Sequence, residues 1–458
     1  MNPLFPSSEA RRLIDAALTE QLEDARRRVN EGSVVPTFDR DRFAKELRAF
    51  DFETPIALKN IIEWTIAQME SGLVHIAHPR YFGLFNPTPT FPAQCGDRIA
   101  AIFNPQLATT TTSPAATAIE AHVIRALAQR FGLPEDSTGH FTTGGAEANY
   151  TALLLALTRA CPEFANDGAA AFKARPTFYI SADSHLAWLK IAHQAGIGRS
   201  AVRLIGTDGT GRMDRHALME KLDGDVAVGR HPVMIVATAG TTNAGMIDPL
   251  EACASLSRSR NVWFHVDAAW GGAAIMSDQH KNCLDGIAAA DSITVDAHKW
   301  FAATMGCGML LCRWPSLVAE TFEVTTSYMP SHLSADPYVN SVQWSRRFLG
   351  IRLFLALAAG GWRGYGAHVE RTLGLTDFLK ENLQARGWQI CNQSRLGVVC
   401  IAPPEGVKAR DVVNRVLATG KAWISVASYE GQEVVRACVT SGETTKNDIA
   451  VLVECLEG

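Results

Sequence analysis

The sequence has ten cysteines, but no CxxC pair and no Cys/His grouping at metal-ligand spacing. A disulfide framework and a zinc site are therefore excluded, and the thiols read as reduced and mostly buried. There is no basic block and no basic-aromatic stripe, and the formal net charge is -4 with pI near 6.4, which excludes nucleic acid as a partner. The longest apolar stretch, "FLALAAGGW" (354–362), falls far short of the roughly 18 to 20 residues that cross a bilayer, so no membrane span is expected. Glu9, Arg11, Arg12 and Asp15 interrupt the start where a secretory signal needs an apolar run, which points to a cytoplasmic protein. No GxGxxG follows an apolar run, so a dinucleotide-binding oxidoreductase ranks last among the enzyme classes. Internal repeats are absent, and "ATTTTS" (108–113) is short enough to be a loop.

What is present is ordinary globular composition: 47% hydrophobic, 20% charged, mean hydropathy +0.01. At 458 residues, two lobes plus an arm are expected rather than one core. Leu13, Ala17, Leu18, Leu22 and Val29 form a narrow helical stripe that wants a partner surface. A second helical stretch (55–71) leads into the Pro/aromatic-rich crossing "HPRYFGLFNPTPTFP". From about residue 175, runs suited to buried parallel strands recur: "TFYIS", "AVRLIG", "VMIVAT", "VWFHVD", "SITVD" and "GMLLC". The middle four start about thirty residues apart, the length of a βαβ unit. The expected fold is α/β: a large domain (86–360) with a mostly parallel sheet wrapped by helices, a smaller C-terminal αβ domain (361–458), and an N-terminal helical arm (1–85). Ligands in such sheets collect beyond the carboxyl ends of the strands. His185, the threonines at 238–242, Asp267 and Lys299 all stand there.

Lys299, in "DAHKWFAATMGCG", sits in apolar surroundings, and a lysine is seldom buried without a partner or a task. Desolvation tends to lower such a group's pKa and free its amine, which condenses with carbonyls, most commonly pyridoxal 5'-phosphate. That cofactor makes further demands. Its ring nitrogen needs a carboxylate in a dry place, and Asp267 ends "VWFHVD". Its phosphate needs backbone N–H groups at a helix start, and "TTGGAEANYTALLLALTRA" (142–160) puts two glycines before a helical run. Its ring face needs a flat neighbour, and His185 follows a strand end. One at a time, these could be a snorkelling lysine, an N-capping aspartate, a glycine-opened helix and a structural histidine. Their order on successive strand ends is a joint requirement.

With those residues in place, the sequence resembles the group II pyridoxal-phosphate-dependent amino-acid decarboxylases of fold type I, looking closest to the aromatic-L-amino-acid decarboxylases. The likeness runs from about residue 75 to the end, through "HPRYFG", "TTSPAATAIE", "TTGGAEAN", "HLAWLK", "GTTNAGMIDPL", "FHVDAAWGG", "DAHKW", "SRRF" and "RACVTSGETTKNDI". It implies that Lys299 holds the cofactor covalently, Asp267 pairs with the ring nitrogen and His185 stacks on the ring. Gly145, Ala146 and Asp296 fall on the phosphate side and Thr241 and Ala269 face the cofactor, with Thr143 and His298 as further cofactor-binding candidates. Thr88, Phe85, Phe103 and Arg436 fall on the substrate side, Arg436 matching an arginine that binds the carboxylate in some members. A loop tyrosine supplies the proton that replaces CO2; Tyr338 is the candidate, with Tyr328 the alternative.

Two departures stand out. Ala146 replaces the usual Ser or Thr, removing a hydroxyl for which Thr142 and Thr143 are the candidate substitutes. Leu186, Ala187 and Trp188 replace small polar residues after His185. Tyr81, Phe82, Phe85, Phe91, Phe103 and Trp188 suggest an aromatic or bulky apolar substrate, although the same residues suit a core, and an acidic substrate follows if Arg436 reaches the side chain. Aldehyde synthesis, transamination and carbon-carbon cleavage use the same lysine, aspartate and histidine, and a non-catalytic cofactor-binding paralogue is a further class. The resemblance also implies a homodimer.

Overall fold

The computed structural model describes residues 4–324 and 336–458. A seven-stranded sheet organises the large domain: β1 (Thr138–Thr142), β2 (Pro176–Ser181), β3 (Val202–Ile205), β4 (His231–Thr238), β5 (Trp263–Asp267), β6 (Ser292–Asp296) and β7 (Gly308–Cys312), in the order β1-β7-β6-β5-β4-β2-β3. Strands β2 to β6 pair in parallel, as their continuous apolar runs predict. Strand β7 is antiparallel to both neighbours, which corrects the expectation that "GMLLC" joins the parallel set. The cause is length: residues 297–307 are too few for the helical crossover a parallel partner needs, so the chain turns straight back. Strand β1 carries no apolar alternation strong enough to announce it, since "TGHFT" has one large apolar residue. Its pairing matters, because Thr142 and Asp296 both lie opposite Gly308. The ends of β1 and β6 are thereby brought together.

Apolar layers cover both faces of the sheet. Helices Pro114–Arg130, Leu250–Arg260 and the first half of Gly350–Ala385 pack with the layer around Phe131, Val266 and Trp300, and helices Gly145–Ala160 and Ala187–Gln194 with the layer around Leu153, Trp188 and Met234. Gly350–Ala385 breaks at Gly361, whose φ of 62° a residue with Cβ rarely adopts. Beyond it, β8 (Val398–Ile401), β9 (Ser425–Tyr429) and β10 (Gln432–Cys438) form an antiparallel sheet in the order β8-β10-β9, with helices Ala409–Ala418 and Lys446–Glu457 over its own apolar core. The Thr445/Asp448 capping box starts the last helix.

The crossing at 80–83 is stitched into this small domain. Phe82 is fully buried in its core, its N–H donates to the Trp423 carbonyl (2.8 Å), and Cys438 N–H donates to the Phe82 carbonyl (2.8 Å). The arm comprises Ser8–Glu31, Arg40–Arg48 and Leu58–Gly72. Arg28 pairs with Glu70 at 2.6 Å, while Leu13 and Leu22 of the predicted stripe stay 63% and 50% exposed. All ten cysteines are free, and no helix among the described residues is long and apolar enough to cross a membrane.

Candidate active site

The carboxyl ends of β5 and β6 supply the charged groups. Lys299 sits in a tight turn after β6, its N–H donating to the Asp296 carbonyl at 3.1 Å. Its Nζ lies 2.9 Å from Asp296 Oδ2, and His298 Nε2 is 3.8 Å from the same oxygen. The lysine's charge is thus balanced by a carboxylate only 2% exposed, whose buried Oδ1 has no hydrogen-bond partner among the described residues. Thr90 N–H donates to the Ala302 carbonyl (2.7 Å), fastening the Thr88 segment beside this turn.

The glycine-opened helix Gly145–Ala160 abuts the same carboxylate. A Cβ on Gly145 would stand 2.9 Å from Asp296 Oδ2 and 3.4 Å from the Ala269 methyl, so only glycine lets the helix start come this close. No side chain caps this terminus at Gly144, leaving its first N–H groups available to an anion. Ala146 brings no hydroxyl, and neither neighbour replaces it. Thr143 Oγ1 donates to Glu147 Oε2 (2.7 Å) and Thr142 Oγ1 to the Gly144 carbonyl (3.0 Å). Glu147 Oε1 in turn accepts from Gln343 Nε2 at 2.6 Å.

Asp267 ends β5 at 6% exposure. Its Oδ1 accepts from Ala269 N–H (3.2 Å) and its Oδ2 from Asn149 Nδ2 (2.8 Å). Behind Asn149 lie His265, Ser292 and Trp263, all buried and hydrogen-bonded in series. Burial pushes the His265 pKa down to about 4, so this imidazole is neutral at ordinary pH. Sequence reasoning missed these partners. The signals were present: Asn149 is four residues after Gly145 on one helix face, and His265 is two before Asp267 on one side of the strand.

His185 is exposed just past β2, with its Nδ1 accepting from Ala187 N–H at 3.1 Å. Thr241 is buried, its Oγ1 accepting from Met246 N–H (3.0 Å) to close the loop after β4. Arg436 of β10 reaches that loop: Nη1 donates to the Thr242 carbonyl (2.6 Å), Nη2 to the Gly83 carbonyl (3.0 Å) and Nε to Ser425 Oγ (3.0 Å). Its Cζ lies 5.7 Å over the Phe85 ring, and Phe85 stacks on Trp270 at 4.2 Å. Arg436 is 3% exposed, and among the described residues its hydrogen bonds go only to neutral oxygens, so its charge has no counter-ion. Thr88 Oγ1 donates to the Ala77 carbonyl at 2.5 Å.

Three expected residues do not join the cluster within this chain. Phe103 is 78% exposed at the end of helix Phe91–Phe103. Tyr338 is 2% exposed, tilted against Trp344 at 4.8 Å, with its N–H on the Ala108 carbonyl (3.2 Å). Trp188 is fully buried between Phe178 and His265. Tyr328 lies outside the described residues.

Pyridoxal phosphate fits these residues. The glycine cradle would receive its phosphate, Asp267 its ring nitrogen, Lys299 its aldehyde carbon, and the ring would lie over Ala269 with His185 beyond. A mostly parallel sheet carrying these groups beyond the carboxyl ends of its strands defines a fold type I pyridoxal-phosphate enzyme. The family described as "Pyridoxal-dependent decarboxylase conserved domain" matches residues 46–402, and the chain belongs to it. The chain is 34% identical over 322 residues to L-2,4-diaminobutyrate decarboxylase of Rhizobium meliloti, covering 69% of this chain and 63% of that protein. It is 25% identical to aromatic-L-amino-acid decarboxylase of Bacillus atrophaeus, covering 97% and 94% of the two chains. The crystal structure of mouse CSAD superposes with a TM-score of 0.92 at 25% identity, covering 99% of both chains. The cofactor is pyridoxal phosphate, and the activity is decarboxylation of an amino acid.

Proposed function

We propose that the substrate is an L-amino acid with an aromatic or bulky apolar side chain, held through a carboxylate by Arg436. The observation that carries the anchor is Arg436 itself, a buried cation whose donors meet, among the described residues, only neutral oxygens beside the loop after β4. A substrate carboxylate there completes a charge-assisted pair. The apolar preference rests on Leu186, 69% exposed next to His185, and on Leu84, 44% exposed next to Gly83. The six aromatics that first suggested it give less support, since Phe82 and Trp188 are in the core and Phe85 is stacked on Trp270. In the reaction Lys299 carries the cofactor, Asp267 holds the ring nitrogen's proton and His185 covers the ring face. Bound there, the cofactor supplies an electron sink for the pair released with CO2.

The test is a panel of L-tryptophan, L-tyrosine, L-phenylalanine, L-leucine, L-glutamate, L-aspartate and L-2,4-diaminobutyrate, with CO2, amine, aldehyde and ammonia measured together. The highest kcat/KM is expected on an aromatic or large apolar member, with amine equal to CO2. Turnover confined to the acidic or diamino members overturns the side-chain assignment, and aldehyde in place of amine overturns the reaction type. The site is further proposed to work in a homodimer, because the arm leaves apolar residues uncovered, and a monomeric mass for the active enzyme contradicts that.

A further inference from the structure

The buried polar groups behind Asp267 hydrogen-bond in one direction only. Trp263 Nε1 can only donate, and it meets Ser292 Oγ at 2.8 Å. Asp267 Oδ2 only accepts, so the Asn149 atom 2.8 Å away is Nδ2 and its Oδ1 faces the other way. That Oδ1 lies 3.0 Å from His265 Nε2, which must therefore carry the ring proton. The neutral ring's Nδ1 is then an acceptor, and it takes the Ser292 hydroxyl proton at 2.8 Å. Every link from Trp263 to Asp267 donates toward the carboxylate, and no member is more than 3% exposed before Asp267 is reached.

Arg159 lies over the far end of the relay, its Cζ 5.7 Å from the centre of the Trp263 ring, and is itself paired with Asp291 at 3.5 Å. His265 meets Thr294 Oγ1 at 3.4 Å and the edge of Trp188 at 5.7 Å between ring centres. Asp267 is the charged group on its own strand; Asp296, His298 and Lys299 follow β6 beyond it. Donor hydrogen bonds to a carboxylate favour its ion over the neutral acid. A chain of aligned donors polarises cooperatively and favours it more than one amide alone.

We propose that Asn149 and His265 are positioning residues that keep Asp267 ionised and thereby keep the ring nitrogen of the bound cofactor protonated. The inference rests on the assignment of Asp267 to that nitrogen and is independent of which amino acid is decarboxylated.

The experiment uses substrate-free holoenzyme carrying ring-15N-labelled cofactor, with the 15N shift followed against pH in wild type, Asn149→Leu and His265→Phe. Wild type is expected to stay protonated across its stable range. Asn149→Leu is expected to raise the carboxylate's proton affinity by about one to two pH units, the size of one charge-assisted hydrogen bond, so that the ring proton passes in part to Asp267 and the 15N shift moves toward the unprotonated value. His265→Phe keeps the Asn149 contact but not its orienting donor, so a smaller displacement in the same direction is expected. A merely structural role lowers the melting temperature and leaves the nitrogen's titration in place, which overturns the proposal. Should Asn149→Leu not fold, an unchanged profile in His265→Phe overturns it equally. Asp267→Asn separates the premise: a ring that stays protonated in that variant refutes the aspartate's own assignment.

Discussion

Lys299 and Arg436 show two ways of keeping a cation in a largely dry place. Lys299 is neutralised by Asp296 at 2.9 Å, so its amine is tethered beside the glycine cradle where the cofactor's aldehyde would arrive. Among the described residues Arg436 donates only to neutral oxygens and keeps its charge for a ligand. Replacing Arg436 with Met should therefore raise KM far more than it lowers kcat. A loss of about 10- to 100-fold in kcat/KM corresponds to one charge-assisted pair worth about 1.5 to 3 kcal/mol. Steady-state kinetics on the best substrate of the panel checks this, and an unchanged KM removes the anchor.

At the scale of elements, three chain segments converge because β7 turns back. Gly308 faces both Thr142 and Asp296, and helix Gly145–Ala160 can start only where Gly145 slides past that aspartate. Gly145→Ala places a methyl 2.9 Å from a buried carboxylate oxygen, so cofactor affinity should fall about tenfold or more. Titration of the apoenzyme with pyridoxal phosphate measures it. Tyr338→Phe distinguishes a proton donor from a packing residue. Its burial against Trp344 predicts an unchanged amine-to-aldehyde ratio with a small loss of stability, and a shift toward aldehyde would restore the donor role. The parallel strands were legible because burial on both faces writes them as unbroken apolar runs, and Lys299, Asp267 and the glycines were legible because each chemical demand has few residue types that meet it. Strand β1 was hidden by its polar composition. The partners of Asp267 left only a periodic signal, His265 two residues before it and Asn149 four after Gly145, because Asn149, His265 and Ser292 meet only after β5, β6 and the helix pack.

For the molecule as a whole, several histidines are buried in neutral form, and this sets its acid limit. Burial pushes His265, His78 and His368 down to about 4 and His140 to about 3, from 6.5 when exposed. Between about 6.5 and those values the unfolded chain binds protons that the folded chain refuses. Through these histidines stability is lost as pH falls below about 6.5, each contributing on the order of 1.4 kcal/mol per pH unit within its window, while the buried Asp248 carboxyl, pushed up to about 7, opposes them. Melting temperatures across that range should fall steeply, and His140→Phe, whose ring nitrogens have no partners, should flatten the slope. The catalytic account depends on one covalent attachment. Borohydride reduction of the holoenzyme followed by peptide mass mapping should find the reduced cofactor on Lys299 and on no other lysine. A Lys299 peptide of unmodified mass, with the label elsewhere or absent, would contradict the account.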